Sequence, residues 1–543
     1  MRVFRFCLWK KRGAGTRLGP ALGALVLATG TTAAAPAKIG PCIDPGTCRS
    51  AATADAPRQL QLLPTPARLM TGADGKSVWT VPVLGWVHAP ISAARSECKG
   101  TLAALTREAL SVLVRPSPPS AGSPPANDPP SNSRLPRFFV DNLCNQKVKI
   151  SIGSLTGAAM QQSLQPAADD PFCQTLLLFP DEQFTPKLTP VTDAGGLFCG
   201  KLLLSPELVQ SLSPQGQPLR LHAELLPDGS AGSAAPGAAL ARDSAEAFLL
   251  RDTDTEISII SDIDDTVRIS HVAYKPELLR GTFFAPFRPT PGVAELYARW
   301  QQHSPGLALH FISSSPLPLY KPLRDELMTQ HPFPLATYHL KWFRIREGTT
   351  IELLAKSPLL TKRRQIAPLL KTYPHRRFAL VGDSGERDPE VYTNLVSDKL
   401  LLPERLTGIF IRDVTCDAQG LHTRPVATGA VGAVEDTGRQ LGRAVQDRLP
   451  GSERRTCRER RFGAVLRAFA AAVKSQGGPQ AAAPWRAWCV FAGGDAASDA
   501  ALVPPLRTPE LTGLAAPAAG GEAARPAECW PHSQAEFDAA LSN

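Results

Sequence analysis

The chain has 543 residues, a formal net charge of +10 and a 43% share of hydrophobic residues. This length is enough for two or three domains, and the apolar share is enough for a sizeable core. The sequence shows no internal repeat, which excludes a repeat architecture, and its 52 prolines, about twice the usual share, cluster in candidate linkers.

The N-terminus has the layout of a bacterial secretory signal. Six basic residues and no acidic ones accompany a weakly apolar run over 18–35, which ends in Ala33-Ala-Ala-Pro-Ala37. We predict a signal peptide over 1–37; an uncleaved anchor is disfavoured by the many Gly, Ala and Thr residues of the run. Removal of this segment lowers the net charge from +10 to +4. We therefore expect export to the periplasm, cell envelope or medium, and no nucleic-acid partner.

The cysteine count points to disulfide bonds. Cys7 leaves with the predicted signal, so 11 cysteines become 10, an even number in an oxidising compartment. Cys42 and Cys48 could close a small loop. Zinc is disfavoured, because the sequence has no Cys-x-x-Cys pair and no cysteine–histidine cluster with zinc spacing.

Residues 38–228 are predicted to form a β-rich N-terminal domain. Residues 38–75 are irregular by pattern, strands are expected over 78–88, 137–140, 148–152, 196–204 and 219–225, and a helix over 99–114. A Pro/Ser-rich insertion lies near 116–136. Strands without long helices between them indicate a β-sandwich. This domain is either a scaffold or a module that binds lipid or a partner. Residues 229–250 are predicted as a linker.

Strands and helices alternate over residues 251–416. The strands are predicted over 256–261, 307–312, 377–381 and 406–411, and the helices over 293–302, 320–330, 361–372 and 389–396. This alternation predicts an α/β domain with a parallel sheet. Residues 417–543 are predicted as a C-terminal extension that is partly disordered.

The first of these strands ends in a group of carboxylates. A β-branched run leads into Asp262-Ile-Asp264-Asp265-Thr266-Val267. Like charges this close repel one another, and a divalent cation would relieve that repulsion. One carboxylate could then act as a nucleophile and the other could move protons. A calcium loop of the EF-hand type is excluded, because Val267 stands where the sharp turn needs Gly.

Three further polar segments follow in a fixed order. The strand over 307–312 ends at Ser313-Ser314-Ser315-Pro316, and a helix capped by Thr361 begins with Lys362. The strand over 377–381 ends at Gly382-Asp383-Ser-Gly-Glu386-Arg-Asp388-Pro-Glu390. Together with the first motif, this order disfavours a plain acidic turn.

The ordered motifs resemble those of the haloacid dehalogenase superfamily of phosphohydrolases. The strings Ser-Asp262-Ile-Asp-Asp-Thr-Val, Ile312-Ser-Ser-Ser-Pro316 and Gly382-Asp-Ser-Gly-Glu-Arg-Asp-Pro-Glu390 are similar to the catalytic domain of the actin-patch phosphatidate phosphatase family. The resemblance covers roughly residues 256–415. It implies a haloacid-dehalogenase-like fold with a Rossmann-like parallel sheet.

The resemblance also implies roles for individual residues. Asp262 would be the nucleophile that forms an aspartyl-phosphate, and Asp264 would protonate the leaving alkoxide and then activate water. Lys362 would balance charge, with Lys356 as its nearest rival. The remaining candidates are the substrate-binding hydroxyls of Ser313, Ser314 and Thr266, and the Mg²⁺ ligands Asp262, Asp264 (through its backbone carbonyl), Asp383 and Asp388.

A segment over 267–291 follows the first motif, where this superfamily has a flap over its active site. It contains the aromatic residues Tyr274, Phe283, Phe284 and Phe287 and the basic residues Lys275, Arg280 and Arg288. Aromatic and basic residues suit a substrate with a phosphate head and an apolar body, but the aromatics could equally pack under the loop.

The function predicted from sequence is a Mg²⁺-dependent phosphatidate phosphatase, with peripheral contact to a membrane. Two alternatives remain open: a phosphatase for soluble or protein substrates, and an inert binding module of the cell envelope. The intact set of charged motif residues disfavours the inert module.

Overall fold

The computed structural model describes residues 57–72, 74–90, 134–138, 140–153, 164–165, 170–176, 192–193, 195–227, 239–272, 275–304, 306–341, 358–414, 488–492 and 528–530. The predicted signal peptide, the Cys42 and Cys48 pair, the helix over 99–114 and all but the last three residues of the Pro/Ser-rich insertion lie outside these ranges.

The N-terminal region forms one hydrogen-bonded sheet of nine described strands. They are β1 Gln59–Leu63, β2 Thr65–Thr71, β3 Ser77–Pro90, β4 Val140–Asn142, β5 Val148–Ile152, β6 Leu164–Gln165, β7 Leu197–Leu204, β8 Leu219–Leu225 and β9 Ala241–Leu250. The order is β5-β8-β9-β2-β3-β7-β6, and β1 and β4 also pair with β3. The 14-residue β3 is thus the strand on which the others assemble. The two-sheet sandwich stays a prediction.

Two expectations for this region are wrong. Residues 59–71 were predicted to be irregular, but they form β1 and β2, and residues 241–250 of the predicted linker form β9. The composition of β9 is typical of a loop, yet β8 and β2 pair with it on both sides. Its small side chains Ala245 and Ala247 are buried. The neighbouring strands, not an apolar pattern, therefore make this segment a strand.

The second sheet has seven described strands. They are β10 Ile257–Asp262, β11 Ala308–Pro316, β12 Thr337–Lys341, β13 Arg377–Asp383, β14 Leu406–Asp413, β15 Trp488–Ala492 and β16 Glu528–Trp530. Their order is β12-β11-β10-β13-β14-β15-β16, and all pairs are parallel except β15 with β16. All six residues of β10 are buried, as expected for a parallel strand covered on both faces. The predicted α/β class with a parallel sheet is confirmed.

Most helices flank this sheet. They are α1 Pro171–Leu176, α2 Pro206–Leu212, α3 Lys275–Phe283, α4 Val293–His303, α5 Tyr320–Pro322, α6 Pro358–Thr372 and α7 Asp388–Ser397. A π-helix, Leu323–Met328, continues α5, and 3₁₀ turns cover Leu135–Phe138, Leu317–Leu319 and Pro403–Arg405. Helix α3 lies in the predicted flap and was not expected. Among the described helices, none is both long enough and apolar enough to cross a bilayer.

Contacts join the two sheets. The Tyr373 hydroxyl donates to the Ala67 carbonyl at 3.3 Å, and Lys321 Nζ donates to the Leu60 carbonyl at 3.3 Å. A disulfide links Cys173 in α1 to Cys199 in β7, with their Cα atoms 5.8 Å apart. The prediction of disulfide bonds is confirmed for this pair.

Candidate active site

The polar segments meet because the strands that carry them are neighbours. Strand β10 lies between β11 and β13, and all three run parallel. Asp262 at the end of β10 pairs with Ile312 of β11, just before Ser313, and β13 ends at Asp383. Strands β11 and β12 lie on one side of β10, and β13 and β14 lie on the other. The strand order thus reverses at β10, and α/β sheets bind ligands in the crevice beyond the carboxyl ends of the strands at such a point.

Four carboxylates surround one ammonium group in this crevice. Oxygens of Asp262, Asp383 and Asp388 lie within 4.8 Å of one another, and all three residues are buried. Lys362 Nζ lies 2.8 Å from Asp262 Oδ1 and 2.9 Å from Glu386 Oε2, and it also pairs with Asp388. Fully ionised, the cluster carries three more negative charges than positive ones. Such an excess is costly away from water unless a cation balances it.

The pKa values follow from this imbalance. Burial raises the pKa of Asp262 well above its usual range, and Lys362 offsets only part of the effect. Burial, followed by repulsion from Asp388, raises the pKa of Asp383 in the same way. Burial would lower the pKa of Lys362, but Asp262 and the other carboxylates outweigh it and raise that pKa. The site thus favours added positive charge.

The carboxylates fit a hard divalent ion such as Mg²⁺. Oδ2 of Asp262 and Oδ2 of Asp383 are buried, and neither has a hydrogen-bond partner in the part of the chain that the structure describes. An unpaired buried oxygen costs free energy. A role as metal ligands would explain why both oxygens are buried without a hydrogen-bond partner. Carboxylate oxygens are the protein ligands that Mg²⁺ prefers.

The turn after β13 fixes the geometry of the cluster. Asp383 Oδ1 accepts hydrogen bonds from the backbone N–H groups of Gly385 (2.6 Å) and Glu386 (3.0 Å). The Asp383 N–H donates to Asp388 Oδ2 at 3.2 Å. A Cβ atom at Gly382 would lie 2.5 Å from that Asp388 oxygen. Glycine is therefore required at position 382 for Asp388 to sit against the strand end.

Asp264 lies in a different environment from Asp262. Its Oδ1 accepts from Arg268 Nε (2.9 Å) and Nη2 (2.6 Å), and its Oδ2 accepts from the hydroxyls of Ser313 (3.1 Å) and Ser315 (2.8 Å). Burial alone would raise the pKa of Asp264, but Arg268 and the two hydroxyls hold it below its usual range. Two carboxylates two residues apart thus have opposite pKa shifts, a pattern that suits different chemical roles.

Asp265 organises the loop and does not join the cluster. Its φ of 54° is in the left-handed region. Its carboxylate accepts from the backbone N–H groups of Ser270 (2.8 Å), His271 (2.8 Å) and Val272 (2.7 Å). Thr266 beside it is buried, and no hydrogen bond to its hydroxyl occurs within the described ranges.

The structure brings Asp262, Asp383, Asp388 and Lys362 to one place, whereas the carboxylate of Asp264 contacts Arg268, Ser313 and Ser315 instead. Lys356 lies outside the described residues. Ser313 points to Asp264, whereas the Ser314 hydroxyl is buried and makes no hydrogen bond to any described residue.

Sequence reasoning missed four residues that contact the site. They are Arg268, Ser315, Glu386 and Gln365, whose side-chain amide donates to the Ser313 carbonyl at 3.0 Å. Two features of the sequence could have indicated Arg268 and Glu386. Arg268 follows Asp264 by four residues, and Glu386 lies within the motif that runs from Gly382 to Glu390.

The aromatic residues of the flap are engaged with the protein. Phe283 packs edge-on against Phe138 with ring centroids 5.1 Å apart. Phe287 is covered by the guanidinium groups of Arg134 (3.6 Å from the ring centroid) and Arg268 (4.5 Å). Phe284 is partly exposed. Tyr274 and the side chain of Lys275 are not described.

Comparison with known proteins gives a match for the domain that holds this site. Residues 257–413, from β10 to the end of β14, match the family described as Phosphatidate phosphatase APP1, catalytic domain. The predicted resemblance is confirmed. This match supports the predicted phosphoric monoester hydrolase.

Two curated proteins resemble the same part of the chain. An uncharacterized protein of Schizosaccharomyces pombe is 31% identical over 171 residues, which are 30% of this chain and 26% of that protein. Phosphatidate phosphatase APP1 of Saccharomyces cerevisiae is 30% identical over 159 residues, which are 29% of this chain and 26% of that protein. The chain therefore matches about a quarter of the length of these relatives.

Proposed function

We propose that this protein is a Mg²⁺-dependent phosphomonoester hydrolase that acts through an aspartyl-phosphate, with phosphatidate as its substrate. The observation that carries the proposal is the buried cluster of Asp262, Asp383, Asp388 and Lys362 inside the matched domain. The proposal includes a haloacid-dehalogenase-like fold for this domain and a β-sandwich-like fold for the N-terminal domain.

Asp262 is the nucleophile in the first half of the reaction. One of its carboxylate oxygens forms a bond to phosphorus as the bond from phosphorus to the ester oxygen breaks. Lys362 holds Asp262 Oδ1 and places positive charge beside the phosphoryl group. Asp262, Asp383, Asp388 and the backbone carbonyl of Asp264 would hold Mg²⁺, which neutralises phosphate charge and keeps Asp262 ionised.

Asp264 moves the proton in both halves. A bound phosphate brings negative charge next to Asp264, which raises its pKa and favours the protonated form. That proton passes to the leaving alkoxide, which departs as the alcohol. In the second half Asp264 takes a proton from water, the water oxygen bonds to phosphorus, and the bond between Asp262 and phosphorus breaks. Phosphate is released and Asp264 is protonated again.

The lipid substrate is supported by the family match and by the name of the yeast relative. The exposed side chains of the flap segment include Arg280, which pairs with Glu277 at 3.2 Å, and Arg288, and Phe284 is partly exposed. Two cations and one aromatic ring suit an anionic head group at a membrane surface, and attraction of this kind weakens with salt. We also propose export with a cleaved signal, on the sequence pattern of residues 1–37, and no role for nucleic acid.

Hydrolysis should depend on Mg²⁺ and on Asp262. Asp262→Asn keeps the shape of the side chain but removes the nucleophile, and we expect at least a ~10³-fold loss of kcat, about 4 kcal/mol of barrier. Asp254→Asn is the matched control, because Asp254 is exposed and lies just before β10 begins, whereas Asp262 lies where β10 ends. Steady-state hydrolysis with Mg²⁺ and with a chelator measures both. Hydrolysis by Asp262→Asn at the wild-type rate would remove the mechanism.

The substrate is tested on the same preparation. We expect higher kcat/KM for phosphatidate in mixed micelles than for glycerol phosphate, and a smaller ratio between them for Phe284→Ala. Equal efficiency on both esters would leave a phosphatase for soluble substrates. Absence of hydrolysis of every ester, with Mg²⁺ bound, would favour an inert binding module.

A further inference from the structure

Arg134 reaches from the N-terminal region into the catalytic domain. It stands immediately before the 3₁₀ turn Leu135–Phe138, more than a hundred residues ahead of the segment that matches the phosphatase family. Only 3% of its surface is exposed. A buried guanidinium is costly unless its donors are paired, so the contacts of Arg134 show what holds it there.

The side chain of Arg134 contacts the catalytic domain. Its Nε and Nη2 donate to Glu326 Oε2 at 3.0 and 2.5 Å, and its Nη1 donates to the Ala285 carbonyl at 2.8 Å. Its backbone N–H donates to the Phe283 carbonyl at 2.8 Å. Arg134 thus fixes the end of α3 and the residues after it against the π-helix that carries Glu326.

The segment fixed in this way carries Phe287. The guanidinium carbon of Arg134 lies 3.6 Å from the Phe287 ring centroid, and that of Arg268 lies 4.5 Å from the same centroid. Arg268 is itself fully buried and forms a two-pronged contact with Asp264 Oδ1. One aromatic ring therefore connects an N-terminal arginine to the arginine that orients Asp264. Contacts of this kind between a desolvated cation and an aromatic ring are stabilising, because the ring face is negative.

We propose that Arg134 is a positioning residue for the phosphatase reaction. It acts through Phe287 and Arg268 to keep the Asp264 carboxyl group aligned with the leaving oxygen, and it touches neither substrate nor metal. This inference rests on the proposed function, in which Asp264 passes its proton to the leaving alkoxide. It also gives the N-terminal region a part in catalysis, because the matched catalytic domain lacks this arginine.

The test uses the dependence of the rate on the leaving group. A proton from Asp264 matters most for an alkyl phosphate, whose alkoxide is a poor leaving group, and least for p-nitrophenyl phosphate, whose phenolate leaves unaided. Arg134→Met in the full chain should lower kcat for glycerol phosphate by about tenfold, with KM within about twofold. The loss of kcat for p-nitrophenyl phosphate should be less than about threefold.

Three further variants make the result specific. Arg137→Met is the matched control, because Arg137 lies in the 3₁₀ turn that follows Arg134 but is exposed, and both esters should be hydrolysed at the wild-type rate. Arg268→Met should give the same selective loss as Arg134→Met, and the double variant should lose no more than Arg268→Met alone. If Arg134→Met unfolds, Glu326→Gln weakens the same contact more mildly. It should show the same selective loss of kcat for glycerol phosphate.

The outcomes separate two kinds of failure. An equal loss of kcat on both esters, or no loss on either, would overturn the positioning role while the phosphatase stands. Losses that multiply in the double variant would also overturn it, because the two arginines would then act independently. If wild type hydrolyses no phosphate ester, phosphatidate in mixed micelles included, the proposed function fails and this inference fails with it.

Discussion

Asp383 has two features that a structural carboxylate does not need together. Its Oδ1 accepts two backbone N–H groups of the turn, and its Oδ2 is buried and has no hydrogen-bond partner in the described chain. Burial and neighbouring carboxylates raise its pKa. The first feature fixes the turn, while the second raises the energy of the metal-free protein. A bound cation would resolve this conflict.

Asp383→Asn should therefore have opposite effects with and without Mg²⁺. The amide keeps an oxygen for the turn but removes one negative charge from a crowded, buried cluster, so the metal-free variant should have a higher free energy of unfolding than wild type. Wild type should be stabilised by about 2.7 kcal/mol at a Mg²⁺ concentration 100 times Kd, and the variant should lose most of this gain. Thermal unfolding with and without Mg²⁺ measures both.

Asp398→Asn is the control for this experiment. Asp398 is an exposed acidic residue directly after α7, where it pairs with Arg363 at 2.8 Å. Its loss should leave the Mg²⁺-dependent stabilisation unchanged. If Asp383→Asn is stabilised by Mg²⁺ as strongly as wild type, the metal is held elsewhere.

At the scale of elements, the long strand β3 carries a buried ionisable group. His88 is 6% exposed and stacks on Trp86 with ring centroids 3.8 Å apart. Burial, aided by the positive charges of Lys321 and Arg137, lowers its pKa to about 3. The folded protein thus keeps His88 neutral where an unfolded chain would protonate it, at an ordinary pKa of about 6.5.

The free energy of unfolding should consequently fall as the pH drops below 6.5. The contribution of His88 is complete above that value and is lost progressively down to about pH 3, because only the unfolded state binds the proton in this range. At pH 5 the loss should reach about 2 kcal/mol. Urea unfolding at pH 7.5 and 5 gives the difference in free energy of unfolding between the two pH values. This difference should be smaller in His88→Gln than in wild type by about 2 kcal/mol.

His222→Gln serves as the comparison in the same sheet. His222 lies on β8 and is exposed, so its replacement should leave the difference between pH 7.5 and 5 unchanged. An unchanged difference for His88→Gln would mean that His88 is protonated in the folded protein, contrary to its burial.

At the scale of the whole molecule, a covalent bond supports the junction between the two sheets. The disulfide ties α1 at Cys173 to β7 at Cys199, and α1 packs against α6, the helix that carries Lys362. Phe172 of α1 also lies 6.1 Å from His339 of β12. The bond therefore ties to the N-terminal sheet a helix that also packs on the catalytic domain.

Replacement of both cysteines by alanine should lower the free energy of unfolding by about 2–4 kcal/mol, because the unfolded chain regains the freedom that the bond removes. Thermal unfolding under non-reducing conditions measures the loss. Thiol titration of the denatured, unreduced mature protein should find few free thiols among the 10 expected cysteines. A count close to 10 would contradict both the disulfides and the proposed export.

The sequence by itself determined the class of the catalytic domain and the three aspartates of its carboxylate cluster. β-branched runs bounded by polar residues are local signals, and they predicted the cores of β10, β11, β13 and β14. Since parallel strands place their carboxyl ends at one edge, the strand pattern was enough to bring Asp262 and Asp383 together, and the family resemblance added Lys362. No long-range contact had to be known for this step.

Only the tertiary structure decided the rest, because those features depend on partners distant in sequence. Strand β9 forms from a loop-like composition since β8 and β2 pair with it. Ser313 and Ser315 share one face of β11 and reach Asp264, whereas Ser314 alternates to the other face. Arg134 reaches Glu326 across 192 residues of sequence. No periodicity encodes such a contact, since it exists only after the turn Leu135–Phe138 has packed against the catalytic domain.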